Sequence, residues 1–190
     1  GLALLPWLLP GQVSAAPLQA RVLVIGGGFA GATAARYLKR QAPQLAVSLI
    51  EPKAVYHTCP SSNLVLGGLL PFAALRQDYQ TLQAQAIEHW RQRAVAIDRE
   101  RRQVVLADGQ RLAYDRLILA PGIAMRESAL EGYHAAVAEH MPHAWQGGSQ
   151  TERLWRQLQA MEDGGLVIIS VPEAPYRCPP GPYERASLIA

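Results

Sequence analysis

The chain has no long run of charge, no low-complexity tract and no internal repeat. Charged residues make up 17% and hydrophobic residues 49%, which excludes a disordered arm and leaves globular material. The net charge is +3, but the basic residues are scattered, with one small cluster at Arg99, Arg101 and Arg102, so there is no nucleic-acid footprint. Cysteine is scarce: only Cys59 and Cys178 occur. No cluster suggests a metal site. The apolar stretch at residues 2–9 is too short to span a bilayer and is broken by prolines. Followed by the small residues Val13-Ser14-Ala15-Ala16, it reads as an export signal, residues 1–16, which places the mature protein in a bacterial periplasm.

The most informative positive feature is Val22-Leu23-Val24-Ile25-Gly26-Gly27-Gly28-Phe29-Ala30-Gly31, answered by Glu51 after a second apolar run. A buried strand, a glycine turn and a helix offer free N–H groups and a positive dipole end to a pyrophosphate. Gly26 makes the turn, Gly28 lets the backbone approach phosphate, and Gly31 lets the helix pack on the strand. Glu51 accepts ribose hydroxyls and repels a 2'-phosphate. The context is complete, with a helix expected over Phe29–Gln41, a stop at Pro43 and a strand over Ala46–Ile50.

Helical spacing returns at 75–86, short strands appear at 93–97 and 104–106 with Asp108-Gly109 as a hairpin turn, and 116–120 reads as a third, buried parallel strand. Small strands inserted before such a strand are the layout of a flavin-binding domain, with Ala120-Pro121-Gly122 as its second cofactor-side turn. A linker rich in Gly, His and Pro covers 131–148. Ser149 and Glu152 form a capping box for a helix whose Leu154, Leu158 and Met161 share a face. Residues 166–170 open a second parallel sheet. The fold class expected is α/β, a glutathione-reductase-like flavoprotein fold with two dinucleotide domains, of which this is the N-terminal fragment. Its divisions are a signal at 1–16, an FAD domain at 17–131, and a linker with the start of a second domain at 132–190.

A nicotinamide site requires another glycine turn after residue 170, and none is present. Residues 171–182 carry five prolines and one glycine around Cys178, leaving few donors for a pyrophosphate. No nicotinamide nucleotide is therefore expected. Cys178 precedes a helix with Pro182 in its first turn, where the dipole and Arg177 or Arg185 favour a thiolate. Glu184 is either a proton donor or acceptor there, or a first-turn carboxylate that complements the dipole. A disulfide between Cys59 and Cys178 is the plain alternative for both cysteines.

Three segments carry a resemblance: Tyr56-His57-Thr58-Cys59-Pro60-Ser61-Ser62-Asn63, His143-Ala144-Trp145, and Tyr176-Arg177-Cys178-Pro179-Pro180-Gly181-Pro182-Tyr183-Glu184-Arg185-Ala186-Ser187. Together they resemble the flavoprotein subunit of flavocytochrome c sulfide dehydrogenase. The resemblance implies sulfide as substrate, FAD as cofactor and a c-type cytochrome subunit as partner. It further implies a thioether from Cys59 to the flavin 8α-methyl, and a redox disulfide from Cys178 to a cysteine beyond Ala190. Phe29, Ala30, Pro52, Asn63 and Val95 complete the expected cofactor set. Three rival readings stand beside it: a sulfide:quinone oxidoreductase, an NADH dehydrogenase, and a flavin-binding electron relay without turnover.

Overall fold

The computed structural model describes residues 19–171 and 173–190; the expected export signal lies outside the described residues. In chain order the first unit runs β1 (Arg21–Ile25), α1 (Phe29–Gln41), β2 (Ala46–Ile50), β3 (Val55–His57), α2 (Ser62–Leu66), β4 (Arg76–Asp78), α3 (Gln80–Ala84) and β5 (Glu88–Trp90). It continues through β6 (Ala94–Asp98), β7 (Gln103–Leu106), β8 (Arg111–Ala113) and β9 (Arg116–Leu119). The helices α4 (Ala135–Ala138), α5 (Ser149–Gln159) and α6 (Gly181–Ile189) follow.

The central sheet has the order β5-β2-β1-β9 and is parallel throughout. Alternation along β1 decides its two faces. Val22 and Val24 pack with Ala35 of α1, Val47, Leu49, Tyr79 and Leu82 on one side. Leu23 turns to the other side and joins Ile50, Val104, Leu106 and Tyr114, so the antiparallel sheet β6-β7-β8 covers that face. This three-layer α/β arrangement brings the ends of β1, β2 and β9 together on one edge.

The structure corrects several local expectations. The helix expected over 75–86 shrinks to α3, because Arg76–Asp78 pairs with β3 and the Asp78 carboxylate receives the Gln80 N–H at 3.1 Å, starting the helix late. β9 is an edge strand, and Leu119 is 59% exposed. The segment 131–148 carries the short helix α4, and Ala138 and Ala144 within it are buried. Ser149 does not cap α5: Gly148, at φ 113°, is the N-cap without a side-chain bond, and Glu152 pairs with Arg156 instead. Met161 lies past the end of that helix. Residues 166–170 form no strand, because no described strand lies alongside to pair with them, and Leu166 is 84% exposed.

Candidate functional site

Gly26 leaves β1 at φ 100°, and its N–H donates to the Ile50 carbonyl at 2.9 Å. A Cβ there would overlap the Ala120 carbonyl, so the Ala120-Pro121-Gly122 turn backs directly onto the glycine turn. At Gly31 a Cβ would overlap the Gly26 carbonyl oxygen, which shows how closely α1 is drawn onto the end of β1. Gly28 is the N-cap of α1, with no side-chain cap and no acidic residue in the first turn. The N–H groups around the exposed Phe29 and Ala30 are thereby left for an anion.

Glu51 directly follows β2 and is half-buried, with exposed Pro52 after it; Oε2 accepts the Gly27 N–H and Oε1 the Lys53 N–H, both at 2.9 Å. Tyr79 closes the floor beneath, donating its hydroxyl to the Gly27 carbonyl at 3.0 Å. Burial first, then the negative Glu51, pushes the Tyr79 phenol far above its ordinary pKa, so it stays a donor. Sequence reasoning missed both Gly27 and Tyr79. Gly27 occupies a free position of the motif, and Tyr79 reads as one more apolar residue. Val95 is the irregular residue where β6 slips register against β7, and it is exposed.

From the glycine turn, β3 leads to the cysteine segment. The Tyr56 ring lies 3.6 Å from where a Gly28 Cβ would stand and meets Phe29 edge-on, with centroids 5.8 Å apart. Burial, then the Cys59 sulfur and Glu51, raises the Tyr56 pKa. Cys59 is half-buried, and its Sγ donates to the Trp145 carbonyl at 3.3 Å. Both cysteines are free thiols; no bridge joins Cys59 to Cys178.

One buried side chain organises the region between them. Arg185, 3% exposed on α6, donates from Nε to Asn63 Oδ1 at 3.0 Å and from its terminal nitrogens to the His143 and Ala144 carbonyls at 2.7 and 2.9 Å. Its guanidinium lies 3.5 Å from the centroid of the Trp145 ring. Burial lowers the Arg185 pKa to about 10, while the Cys59 sulfur and Glu184 pull it back up, so it remains a cation at neutral pH. The charge assigned from sequence to Cys178 is thus spent on the Cys59 side. Asn63 also donates from Nδ2 to exposed Glu184 at 3.1 Å, so its amide is engaged at both ends by α6.

Cys178 itself is exposed, at φ 53°, with Gly181 closing the turn back onto its carbonyl at 2.9 Å. A Cβ on Gly181 would stand 3.2 Å from the Cys178 sulfur and 3.4 Å from the Trp145 ring, so that indole borders both cysteine loops. Ser61, Ala144 and Cys178 all hold positive φ, and this concentration of left-handed backbone marks the region as one whose geometry the fold enforces. Among the described residues there is no cluster that could hold a metal ion.

The family model for pyridine nucleotide-disulphide oxidoreductases matches residues 20–164, most of the chain. The chain belongs to this family. Within it, the model for the central part of the flavoprotein chain of flavocytochrome c sulfide dehydrogenase matches residues 151–190. That flavoprotein chain from Chlorobaculum thiosulfatiphilum is 53% identical over 45 residues, 24% of this chain and 94% of that one. The resemblance read from the cysteine segments is therefore borne out. The mitochondrial sulfide:quinone oxidoreductase of Mus musculus is 23% identical over 86% of this chain and 36% of its own length. The covalent putidaredoxin reductase–putidaredoxin complex matches with a TM-score of 0.60 at 27% identity, over 73% of this chain and 34% of that one. The chain thus spans about a third of these longer proteins.

The residues present fit the FAD of this flavin oxidoreductase family. The test is the glycine turn, where side chains are excluded at Gly26 and Gly31 and the α1 N-terminus is left uncapped.

Proposed function

We propose that the full-length protein is an exported, periplasmic sulfide dehydrogenase that passes electrons to a c-type cytochrome subunit. The observation that carries this reading is the match at residues 151–190, which contains Cys178 and Glu184 where a nicotinamide turn is expected. When bound, FAD supplies two-electron uptake from sulfur and one-electron release to haem. The α1 N-terminus would hold its pyrophosphate, Glu51 its ribose, and Cys59 would tether its ring. Hydrosulfide attacks the disulfide of Cys178 and a cysteine beyond Ala190, forming a persulfide on one sulfur and releasing the other as thiolate. In this reading Glu184, in the first turn of α6, takes or gives the proton. The Mus musculus relative supports a second reading, in which quinone is the acceptor.

Stopped-flow mixing of the full-length holoprotein tests the donor. Sulfide is expected to bleach the flavin band, whereas NADH and NADPH leave it unchanged because the proline-rich turn offers a pyrophosphate few donors. The family's name includes pyridine nucleotides, so rapid bleaching by NADH would return this chain to their chemistry. Turnover with ferricytochrome c against a short-chain quinone separates the two acceptors.

The tether makes a separate prediction. Acid precipitation of the wild-type holoprotein should carry the yellow flavin down with the polypeptide, and Cys59→Ala should leave it in the supernatant. Flavin that washes out of the wild type would remove the thioether from the scheme.

A further inference from the structure

We propose that Arg185 is a positioning residue for the flavin tether, gripping the Cys59 loop from both sides and fixing where its thiol points. The inference rests on the reading of Cys59 as the tether. On one side, Nε holds Asn63 in α2, and α2 starts directly from the Cys59 turn, where the Ser62 N–H donates to the Cys59 carbonyl at 2.9 Å. On the other side, the terminal nitrogens hold two successive carbonyls, at His143 and Ala144. The next carbonyl along, that of Trp145, is the one that receives the Cys59 thiol.

The turn between them has no slack. Ala144 is left-handed at φ 51°, the Trp145 N–H is bound to His143 Nδ1 at 3.0 Å, and a Cβ on Gly147 would collide with the His57 carbonyl. A planar fork with fixed donor directions satisfies three acceptors and stacks on an indole at once; an ammonium group has three donors but neither the fixed fork nor a plane to stack. Simple helix packing does not require this, because an apolar side chain could fill the same space without the cost of burying a cation. His143-Ala144-Trp145, which the dinucleotide chemistry leaves unused, thereby acquires a role.

Joining Cys59 Sγ to the flavin methyl carbon forms one C–S bond and breaks one S–H and one C–H bond. The electron pair and protons pass to the isoalloxazine, and a haem or dioxygen acceptor removes the electrons afterwards. What the protein controls in this step is the direction of Sγ.

The test uses the full-length holoprotein and two readouts: total flavin per polypeptide, and the share that stays with the acid-precipitated chain. In Arg185→Lys, total flavin should stay near the wild-type level while the covalent share falls about tenfold or more, as expected when a reacting atom is misdirected. A merely structural role would lower both quantities together, and that result in Arg185→Lys would overturn the proposal. So would a wild-type covalent share in the same variant. Wild-type flavin that is itself acid-soluble would overturn the tether reading and this proposal with it, a signature distinct from failure of the proposal alone.

Discussion

Gly31→Ala is expected to destabilise the flavin domain by about 3 kcal/mol and to strip it of FAD, although it adds a single methyl group. The new Cβ would overlap the Gly26 carbonyl oxygen and stand 3.2 Å from a Val24 methyl, so the obstacle is backbone and buried core, neither of which can swing aside. Relief requires α1 to lift from β1, which opens the cluster of Val22, Val24, Ala35, Val47 and Leu49. The same lift takes the α1 N-terminus away from the pyrophosphate. Gly28→Ala is the discriminating companion. The nearest atoms its Cβ would meet are those of the Tyr56 side chain, at 3.6 Å or more, and φ there is −73°, so stability should change little while flavin affinity falls. Denaturation midpoints and flavin content of the two full-length variants check this. Equal stability loss in both would show that the turn is not divided between packing and phosphate contact as described.

The part of this region that sequence made legible is the part specified locally. β1, α1 and β2 are announced by an apolar run, glycines at fixed spacing and Pro43, and α1 and β2 fall where the pattern puts them. β5 was not legible, because Glu88, His89 and Trp90 carry no strand pattern; they become a strand by adding to β2, with Ser48 donating to Glu88 at 2.9 Å. Residues 166–170 show the converse, since their β-forming composition makes no strand without a neighbour. In the site, Gly26, Gly31 and Glu51 were readable from spacing. Arg185 was readable only as a charge near Cys178, because the carbonyls that bury it come from a turn about forty positions away. Long-range acceptors of this kind leave no periodicity in the sequence.

Cys178→Ser is expected to leave FAD bound and tethered, yet to abolish its reduction by sulfide. The two functions are separable because they sit on different walls. The proposed cofactor contacts lie at the glycine turn, Glu51 and the Cys59 loop, while Cys178 is exposed at the entry to α6, outside the hydrogen bonds that hold Glu51 and Cys59. Serine fits the same turn, since Gly181 closes onto the Cys178 carbonyl and not onto its sulfur. An alkoxide, however, cannot replace a thiolate in thiol–disulfide exchange at neutral pH, because no disulfide forms and hydrosulfide finds no sulfur to attack. Peptide mapping of the unreduced full-length wild type should accordingly find Cys178 joined to a cysteine beyond Ala190. Stopped-flow reduction of the variant decides the rest. Flavin bleaching by sulfide at a rate near that of the wild type would place the sulfur chemistry elsewhere, and a Cys59–Cys178 bridge in the map would leave neither the tether nor the redox disulfide standing.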